Sequence, residues 1–265
     1  MKAKLILLGI VSVFLSAISS QAQPVVVAND TANNPQYAPQ PDHNWSVANG
    51  GFGYNLWTPL SDGSGGGTFM EGVGVNNRQV DGNYSFALYS GSGSYDISRP
   101  LSTSLTGLVE FDIVTRFDVS GTGLNAVDLR TGNNTSSFSA GDLLTFGLQA
   151  NGGGLAITDG SGTDLLPSGE ARGSVWSWDV LFNTTAGTYT LSVTNLSGGY
   201  FDQVSGNLDA SGTSVGSFAV INSSTGSNQN VIFDQPTFTV VPEPVTAAFL
   251  GISGFGALMM IRRRK

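Results

Sequence analysis

The stretch LVEFDIVTRFDV, residues 108–119, alternates along its length between apolar and polar side chains. Because successive side chains of a β-strand point to opposite faces, this pattern predicts a strand with one apolar face and one solvated face. The apolar face comprises Val109, Phe111, Ile113, Phe117 and Val119. The solvated face comprises Glu110, Asp112, Arg116 and Asp118. We therefore expect a sheet that covers a core on one side only.

Shorter segments of the same kind recur along the chain, and turn signals such as Asp159-Gly160 and Ala186-Gly187 separate them. No long amphipathic helical pattern appears between the two ends of the chain. The sequence therefore predicts an all-β fold, an antiparallel sandwich or barrel, over residues 23–241. The further predicted strands are 143–148, 175–182, 188–193, 215–221 and 230–240, with an edge strand at 25–27.

Two of these segments resemble a known architecture. Residues 230–234, Asn-Val-Ile-Phe-Asp, followed by Phe238, are similar to the closing strand of concanavalin A-like jelly rolls. Residues 176–180, Trp-Ser-Trp-Asp-Val, before the strand at 188–193, resemble the same fold. The resemblance implies a jelly-roll-like β-sandwich, a lectin-like fold that often binds glycans and sometimes calcium, although a fold alone does not fix a function.

The charge of the predicted β-domain excludes several classes of partner. Residues 23–241 contain five arginines, no lysine and eighteen acids, which gives a net charge of −13. Such a polyanion repels nucleic acid and anionic membranes, and it is compatible with calcium or with a neutral polysaccharide. The chain has no cysteine, so its stability must come from a packed core rather than from disulfides.

The first residues have the organisation of a secretory signal peptide. Lys2 and Lys4 form a charged region, residues 5–18 form an apolar region, and Ser20-Gln21-Ala22 supplies small residues before a cleavage point. We therefore predict that residues 1–22 are a signal peptide cleaved after Ala22, and that the chain is exported.

The last residues combine three parts in a fixed order. A rigid acidic tripeptide, Pro242-Glu243-Pro244, precedes an uncharged run at residues 245–261. Seventeen helical residues rise about 25 Å, which is the short end of what crosses a hydrocarbon core of about 30 Å. The run therefore predicts a single C-terminal transmembrane helix with its basic end in the cytoplasm. The basic end consists of Arg262, Arg263, Arg264 and Lys265.

These three parts resemble the PEP-CTERM sorting signal of bacterial envelope proteins. The resemblance implies that residues 242–265 are read by an exosortase, a membrane-embedded transpeptidase, with Pro242, Glu243 and Pro244 as the recognition residues. It further implies an inner-membrane-anchored precursor that passes to the cell envelope, the cell surface or the extracellular matrix. A plain C-terminal anchor is the alternative interpretation of the same residues.

One pair of acids matches the beginning of a glycosidase motif, but the second catalytic carboxylate of that motif is missing. Laminarinase-like glycosidases carry Glu-x-Asp-x-x-Glu on one strand, and Glu110 and Asp112 begin in that way. Thr115 or Arg116 stands where the second catalytic carboxylate should be. Because a retaining glycosidase needs two carboxyl groups about 5 to 5.5 Å apart, we assign no catalytic residue and keep a degenerate glycosidase as a minor alternative.

Two further pairs are candidates for ligand binding. Trp45 and Trp57 lie beside polar or glycine-rich segments and could stack on sugar rings, with core packing as the alternative. Asp159 and Asp164 lie in a glycine loop and could hold calcium, with an ordinary hairpin turn as the alternative. The single histidine, His43, cannot build a zinc site or a Ser-His-Asp triad.

The sequence thus predicts an exported, non-enzymatic surface or matrix protein with a structural or adhesive role, sorted through its tail. The alternative is a lectin-like carbohydrate-binding module assisted by calcium. The expected partners are an exosortase, the membrane and an extracellular polysaccharide.

Overall fold

The structure, a computed structural model, describes residues 23–37, 45–62, 66–72, 78–81, 84–91, 93–118, 124–132, 142–149, 154–166, 172–209, 214–223 and 229–242. The predicted signal peptide, His43, Glu243, Pro244, the predicted span at 245–261 and the basic end lie outside these residues. Among the described residues, no helix has the length and apolar character needed to cross a membrane.

Within the described ranges, β-strands dominate and the helical parts are two short 3₁₀ turns, Pro35–Tyr37 and Trp45–Val47. The strands are β1 (Val25–Asn29), β2 (Thr58–Asp62), β3 (Gly67–Gly72), β4 (Tyr84–Ser90), β5 (Tyr95–Leu105), β6 (Leu108–Asp118), β7 (Asn125–Thr131), β8 (Asp142–Leu148), β9 (Leu155–Asp159), β10 (Gly162–Leu165), β11 (Val175–Asn183), β12 (Thr188–Asn195), β13 (Phe201–Asn207), β14 (Val215–Asn222) and β15 (Gln229–Val240).

These strands form two sheets in which neighbouring strands are antiparallel. One sheet has eight strands in the order β13-β12-β11-β6-β15-β4-β3, with β1 also paired to β15. The other has seven strands in the order β10-β9-β8-β7-β14-β5-β2. The predicted all-β, antiparallel fold class is therefore confirmed.

The two sheets pack face to face over one core, and the fold is therefore a sandwich rather than a barrel. Phe111 of β6 meets Phe218 of β14 with ring centroids 5.5 Å apart, and Trp178 of β11 meets Phe146 of β8 at 4.9 Å. Aromatic side chains from both sheets thus interlock across the space between them. The sandwich is one compact unit, Val25–Val240.

Strand β6 has the alternation that its sequence predicts. The odd-numbered residues from Val109 to Phe117 are buried, including Thr115, and the residues between them are partly exposed. Val119 lies outside the described residues. The other predicted strands correspond to β1, β8, β11, β12, β14 and β15, with ends shifted by one or two residues. The sequence patterns thus locate seven strands, and β2, β3, β4, β5, β7, β9, β10 and β13 are not among the predicted ones.

Trp45 and Trp57 are buried, which agrees with core packing rather than with carbohydrate contact as the interpretation of this pair. The exposed fraction is 0% for Trp45 and 4% for Trp57, and the two rings meet at 4.8 Å inside the core. The Trp45 Nε1–H donates to the Phe69 carbonyl at 2.8 Å, which holds the segment at 45–57 against β3. Neither ring presents a face to solvent, so neither forms a platform for a sugar.

A buried charge network fixes the N-terminal segments to the core. The Arg99 guanidinium is fully buried, lies 3.0 Å from the Asp30 carboxylate and stacks 4.6 Å from the Trp57 ring centroid. It also donates to the Tyr37 hydroxyl at 2.9 Å and to the Gly50 carbonyl at 2.8 Å. Burial raises the pKa of Asp30, and the charge of Arg99 opposes that rise. One cation thus ties together three separate segments of the chain.

We expect Arg99→Met to lower the free energy of unfolding by about 3 to 5 kcal/mol, because it leaves the Asp30 carboxylate buried without its cation. Urea denaturation checks this, and adding Asp30→Asn to the variant should recover part of the loss. A loss below about 1 kcal/mol for Arg99→Met would contradict the role assigned to the pair.

Candidate functional site

Three carboxylates converge on the solvent-facing side of the eight-stranded sheet, which we call the outer face. Glu110 and Asp112 extend from β6, and Asp179 extends from β11 directly opposite Asp112. One carboxylate oxygen from each residue lies within 4.8 Å of the others. We call this group the carboxylate triad, and each of its members is partly exposed.

The core dictates this meeting of acids. In β11, Trp176, Trp178 and Val180 are buried, so Asp179 between them must face outward. The Trp178 Nε1–H donates to the Thr115 hydroxyl at 2.8 Å inside the sandwich, across the β6–β11 pair. Because that bond and the aromatic packing fix the register, Asp179 falls opposite Asp112.

The triad concentrates negative charge without compensation. Burial, followed by the charges of Glu110 and Asp179, raises the pKa of Asp112 to about 7. Burial and the Asp179 charge raise the pKa of Glu110, and burial raises that of Asp179. Among the described residues, no hydrogen-bond donor reaches these three carboxylates. The triad is therefore a set of acceptors that a cation or a hydroxyl-rich ligand would satisfy.

The opposite half of the outer face is already occupied. Residues 78–81, the covering segment, lie over β3, β4 and β15. The Arg78 guanidinium donates to Glu71 at 2.6 Å and lies 3.6 Å from Asp118, and the Val80 N–H donates to the Ser85 hydroxyl at 3.0 Å. The covering segment thus supplies an arginine to Glu71 of β3 and to Asp118 at the end of β6, whereas the triad lies on the half formed by β6, β11, β12 and β13.

A bulge in β15 separates the two halves. The pairing of β15 with β6 shifts between Asp234 and Thr237, where Gln235 adopts a left-handed conformation with φ of 57°. Burial, followed by the hydrogen bond and charge of Asp81, raises the pKa of Asp234 to about 9, so Asp234 holds a proton at neutral pH. The bulge therefore holds the covering segment on one side, and beyond it Thr237 lies opposite Asp112.

Oxygen-only ligands such as these suit Ca²⁺, which takes about six to eight oxygens. The triad can supply three or more of them, and water or ligand hydroxyls would supply the rest. Sequence reasoning identified Glu110 and Asp112 as outward acids but missed Asp179 as their partner. The alternation in β11 gave the direction of Asp179, but only the pairing of β11 with β6 brings the three together.

The predicted calcium pair, Asp159 and Asp164, lies elsewhere, on the β9–β10 hairpin of the seven-stranded sheet. One Asp159 oxygen accepts the Ser161 N–H at 2.7 Å, and the other accepts the Tyr189 hydroxyl at 2.8 Å. Burial, the bond to Asp159 and the charge of Asp164 raise the pKa of Tyr189. Both acids thus lie near this hydroxyl at a hairpin turn, and calcium at this position stays a prediction.

Comparison with known protein families finds no match, and no curated protein matches the chain. Arcelin-5, a lectin-like defense protein from Phaseolus vulgaris, aligns over 82% of this chain and 97% of its own, at 8% identity and a TM-score of 0.47. A seed lectin of Lotus tetragonolobus aligns over 71% of this chain and 100% of its own, at 10% identity and a TM-score of 0.43. Lectin I of Ulex europaeus, solved with the methyl glycoside of α-L-fucose, aligns over 69% and 97%, at 12% identity and a TM-score of 0.44. These similarities carry no argument about the ligand of this chain, which must come from its own side chains.

We expect the pH dependence of stability to report the triad. Asp112 takes its proton near pH 7 in the folded chain and near pH 4 when unfolded, so the folded state binds more protons between these values. The stabilising contribution of Asp112 is therefore complete below about pH 4 and is lost as pH rises through about 7. With EDTA present to remove Ca²⁺, Asp112→Asn should reduce the decrease in stability between pH 4 and pH 7 and should raise Tm at pH 8.

Asp118→Asn is the matched control for that measurement. It removes an acid from the same face of β6, but one that accepts the Arg116 Nε–H at 2.8 Å, so it should lower Tm or leave it unchanged. A lower Tm for Asp112→Asn at pH 8, or an unchanged pH profile, would contradict the electrostatic account of the triad.

Proposed function

We propose that the sandwich is a carbohydrate-binding module that engages the hydroxyl groups of a neutral glycan at the carboxylate triad, with Ca²⁺ as an assisting ion. The observation that carries the proposal is the convergence of Glu110, Asp112 and Asp179 on an open half-sheet without a donor among the described residues. An ionised carboxylate can accept hydrogen bonds but cannot donate them. The ligand that complements the triad is therefore one that is rich in hydrogen-bond donors or that carries a positive charge.

Charge further narrows the class of ligand. The net charge of −13 over residues 23–241 repels nucleic acid and acidic polysaccharides alike. The arginines near the outer face are engaged elsewhere, Arg116 with Asp118 and Arg78 with Glu71, and do not neutralise the triad. A neutral sugar donates hydroxyl protons to carboxylates, and two adjacent sugar hydroxyls can complete the oxygen shell of a Ca²⁺ ion.

A glycosidase is the second candidate function, and one observation favours it. Asp112 titrates near pH 7 beside Glu110, which is the pairing of a protonated and an ionised carboxyl group that acid–base catalysis uses. Retaining enzymes hold such groups about 5 to 5.5 Å apart. We favour binding because Thr115 and Arg116 occupy the positions of the missing motif carboxylate.

The test is titration of the purified β-domain precursor, residues 23–265, with soluble β-glucan by calorimetry, in Ca²⁺ and in EDTA. We expect binding that weakens in EDTA and falls about tenfold or more in Asp179→Asn, since a charged hydrogen-bond partner is worth about 1.5 to 3 kcal/mol. Asp118→Asn, which leaves the triad intact, should bind like the wild type.

Two results would redirect the proposal. Release of reducing sugar that disappears in Glu110→Gln would favour the glycosidase. Absence of binding to any neutral polysaccharide, with and without Ca²⁺, would contradict a carbohydrate function at this face.

We also propose that the chain is exported and sorted to the envelope through residues 242–265. The support is the order of Pro242-Glu243-Pro244, the uncharged run and the basic end. In addition, the last strand ends at Val240, where it pairs with Val25, so the tripeptide follows directly after the folded sandwich. Removal of the tail would therefore break no strand pair of the sandwich.

For sorting, the double variant Pro242→Ala with Glu243→Ala should accumulate as an uncut precursor in the membrane fraction, because the transpeptidase loses its recognition residues. Cell fractionation with intact-mass analysis measures this, and a host lacking the transpeptidase provides the control. Normal maturation of the variant would leave the tail as an ordinary anchor.

A further inference from the structure

An uncharged depression lies beside the triad on the same half of the outer face. The depression is open to solvent and has a volume of about 460 Å³ between β11, β12 and β13. We call this region the shelf, and its lining includes Leu181, Asn183, Thr188, Thr190, Ser205 and Asn207. Each of these side chains is apolar, hydroxyl or amide, so the shelf differs sharply in charge from the neighbouring triad.

Strand register makes the shelf continuous with the triad. Leu181 lies opposite Glu110 in the β6–β11 pair, Thr190 lies opposite Leu181, and Ser205 lies opposite Thr190. These residues form one row across four strands, which spans about 14 Å at the usual strand spacing of about 4.8 Å. A ligand lying across the strands from Glu110 would therefore pass over Leu181 and reach the Thr190 and Ser205 hydroxyls.

The chemistry of the shelf matches the surface of a sugar ring. Leu181 is 37% exposed and offers an apolar contact for the C–H face of a ring. The Thr190 and Ser205 hydroxyls lie 2.9 Å apart, and either can donate, so the pair can switch direction to suit a ligand hydroxyl. The Asn183 amide oxygen accepts the Thr185 and Ala186 N–H groups in the turn, which leaves its NH₂ as the donor for a ligand.

We infer that the shelf is a second subsite of the same binding face, and that it holds a neutral sugar unit of the glycan chain whose neighbouring unit occupies the triad. The inference rests on the proposed carbohydrate function and adds to it the direction of the chain and the class of sugar. The glycan runs across β6, β11, β12 and β13 and carries no carboxylate or sulfate, because the shelf lining has no cation to receive one.

Two linked subsites make affinity depend on the length of the ligand. Once one sugar unit is bound at the triad, its neighbour has a high effective concentration at the shelf. A ligand long enough to reach both subsites therefore binds more tightly than a ligand that reaches the triad alone. A short ligand that fills only the triad gains nothing from the shelf. The dependence of affinity on ligand length therefore distinguishes a binding role of the shelf from a purely structural role.

The test compares the methyl glycoside of a single glucose unit with a hexasaccharide of β-glucan by calorimetry in Ca²⁺, using residues 23–265. For the wild type we expect the hexasaccharide to bind about tenfold more tightly or better. The double variant Thr190→Val with Ser205→Ala removes both hydroxyls and should lose that gain, while its affinity for the single sugar unit and its Tm stay unchanged. Thr194→Val, a hydroxyl of β12 on the same face outside the shelf, is the matched control.

The outcomes separate the shelf from the triad. If Asp179→Asn abolishes binding while the shelf variant keeps the full length dependence, the subsite is overturned and the proposed function stands. Equal binding of a uronic acid hexasaccharide would overturn the assignment to neutral sugars. If the wild type binds neither of the two neutral sugar ligands, the proposed function and the subsite fail together.

Discussion

The outer face depends on a single constraint, the register between β6 and β11. Aromatic packing inside the sandwich and the Trp178–Thr115 hydrogen bond of 2.8 Å fix that register from the buried side. The consequence appears on the opposite, solvated side, where Asp179 falls against Asp112. Two carboxylates placed directly opposite each other oppose sheet formation by themselves, so the core supplies the free energy that holds them together. The electrostatic repulsion within the triad is therefore offset by the packing of the core beneath it, and unfavourable charge arrangements of this kind are common where a protein binds a ligand.

The two halves of the outer face treat their acids in opposite ways. The covering segment brings Arg78 to Glu71 of β3 and to Asp118 at the end of β6, so these two acids have a cationic partner. On the other half, the acids of the triad receive neither a cation nor a donor from the described residues. Four of the five arginines in the β-domain pair with acids outside the triad, namely Arg78 with Glu71, Arg99 with Asp30, Arg116 with Asp118 and Arg130 with Asp128. Charge therefore remains where the sheet is open, next to a lining of hydroxyl and amide groups.

Local sequence pattern was sufficient to predict the all-β antiparallel fold class, but it was insufficient to predict the site. Alternation predicts β6 with Glu110 and Asp112 outward, and the structure agrees, because the side-chain period of a strand is set by local backbone geometry. The partner Asp179 is 67 positions further along the chain than Asp112, and its arrival depends on strand pairing, which no local pattern encodes. The suggested sugar contact of Trp45 and Trp57 is not supported for a related reason. Their polar neighbours in the sequence are typical of a surface, but contacts with Arg99 and Tyr37 hold these segments in the core. The tail residues from Glu243 onward lie outside the described residues, and their sorting role stays a proposal.

The central claim is that Glu110, Asp112 and Asp179 act together as the point of contact with a glycan and its ion. Side-chain carboxyl carbons can be observed individually by ¹³C nuclear magnetic resonance while a neutral oligosaccharide is added in Ca²⁺. The account predicts that the largest shifts occur at these three carboxyl groups, with small changes at Asp118 and Asp159. Shifts centred on Asp159 and Asp164, or an unchanged triad in the presence of bound sugar, would contradict it.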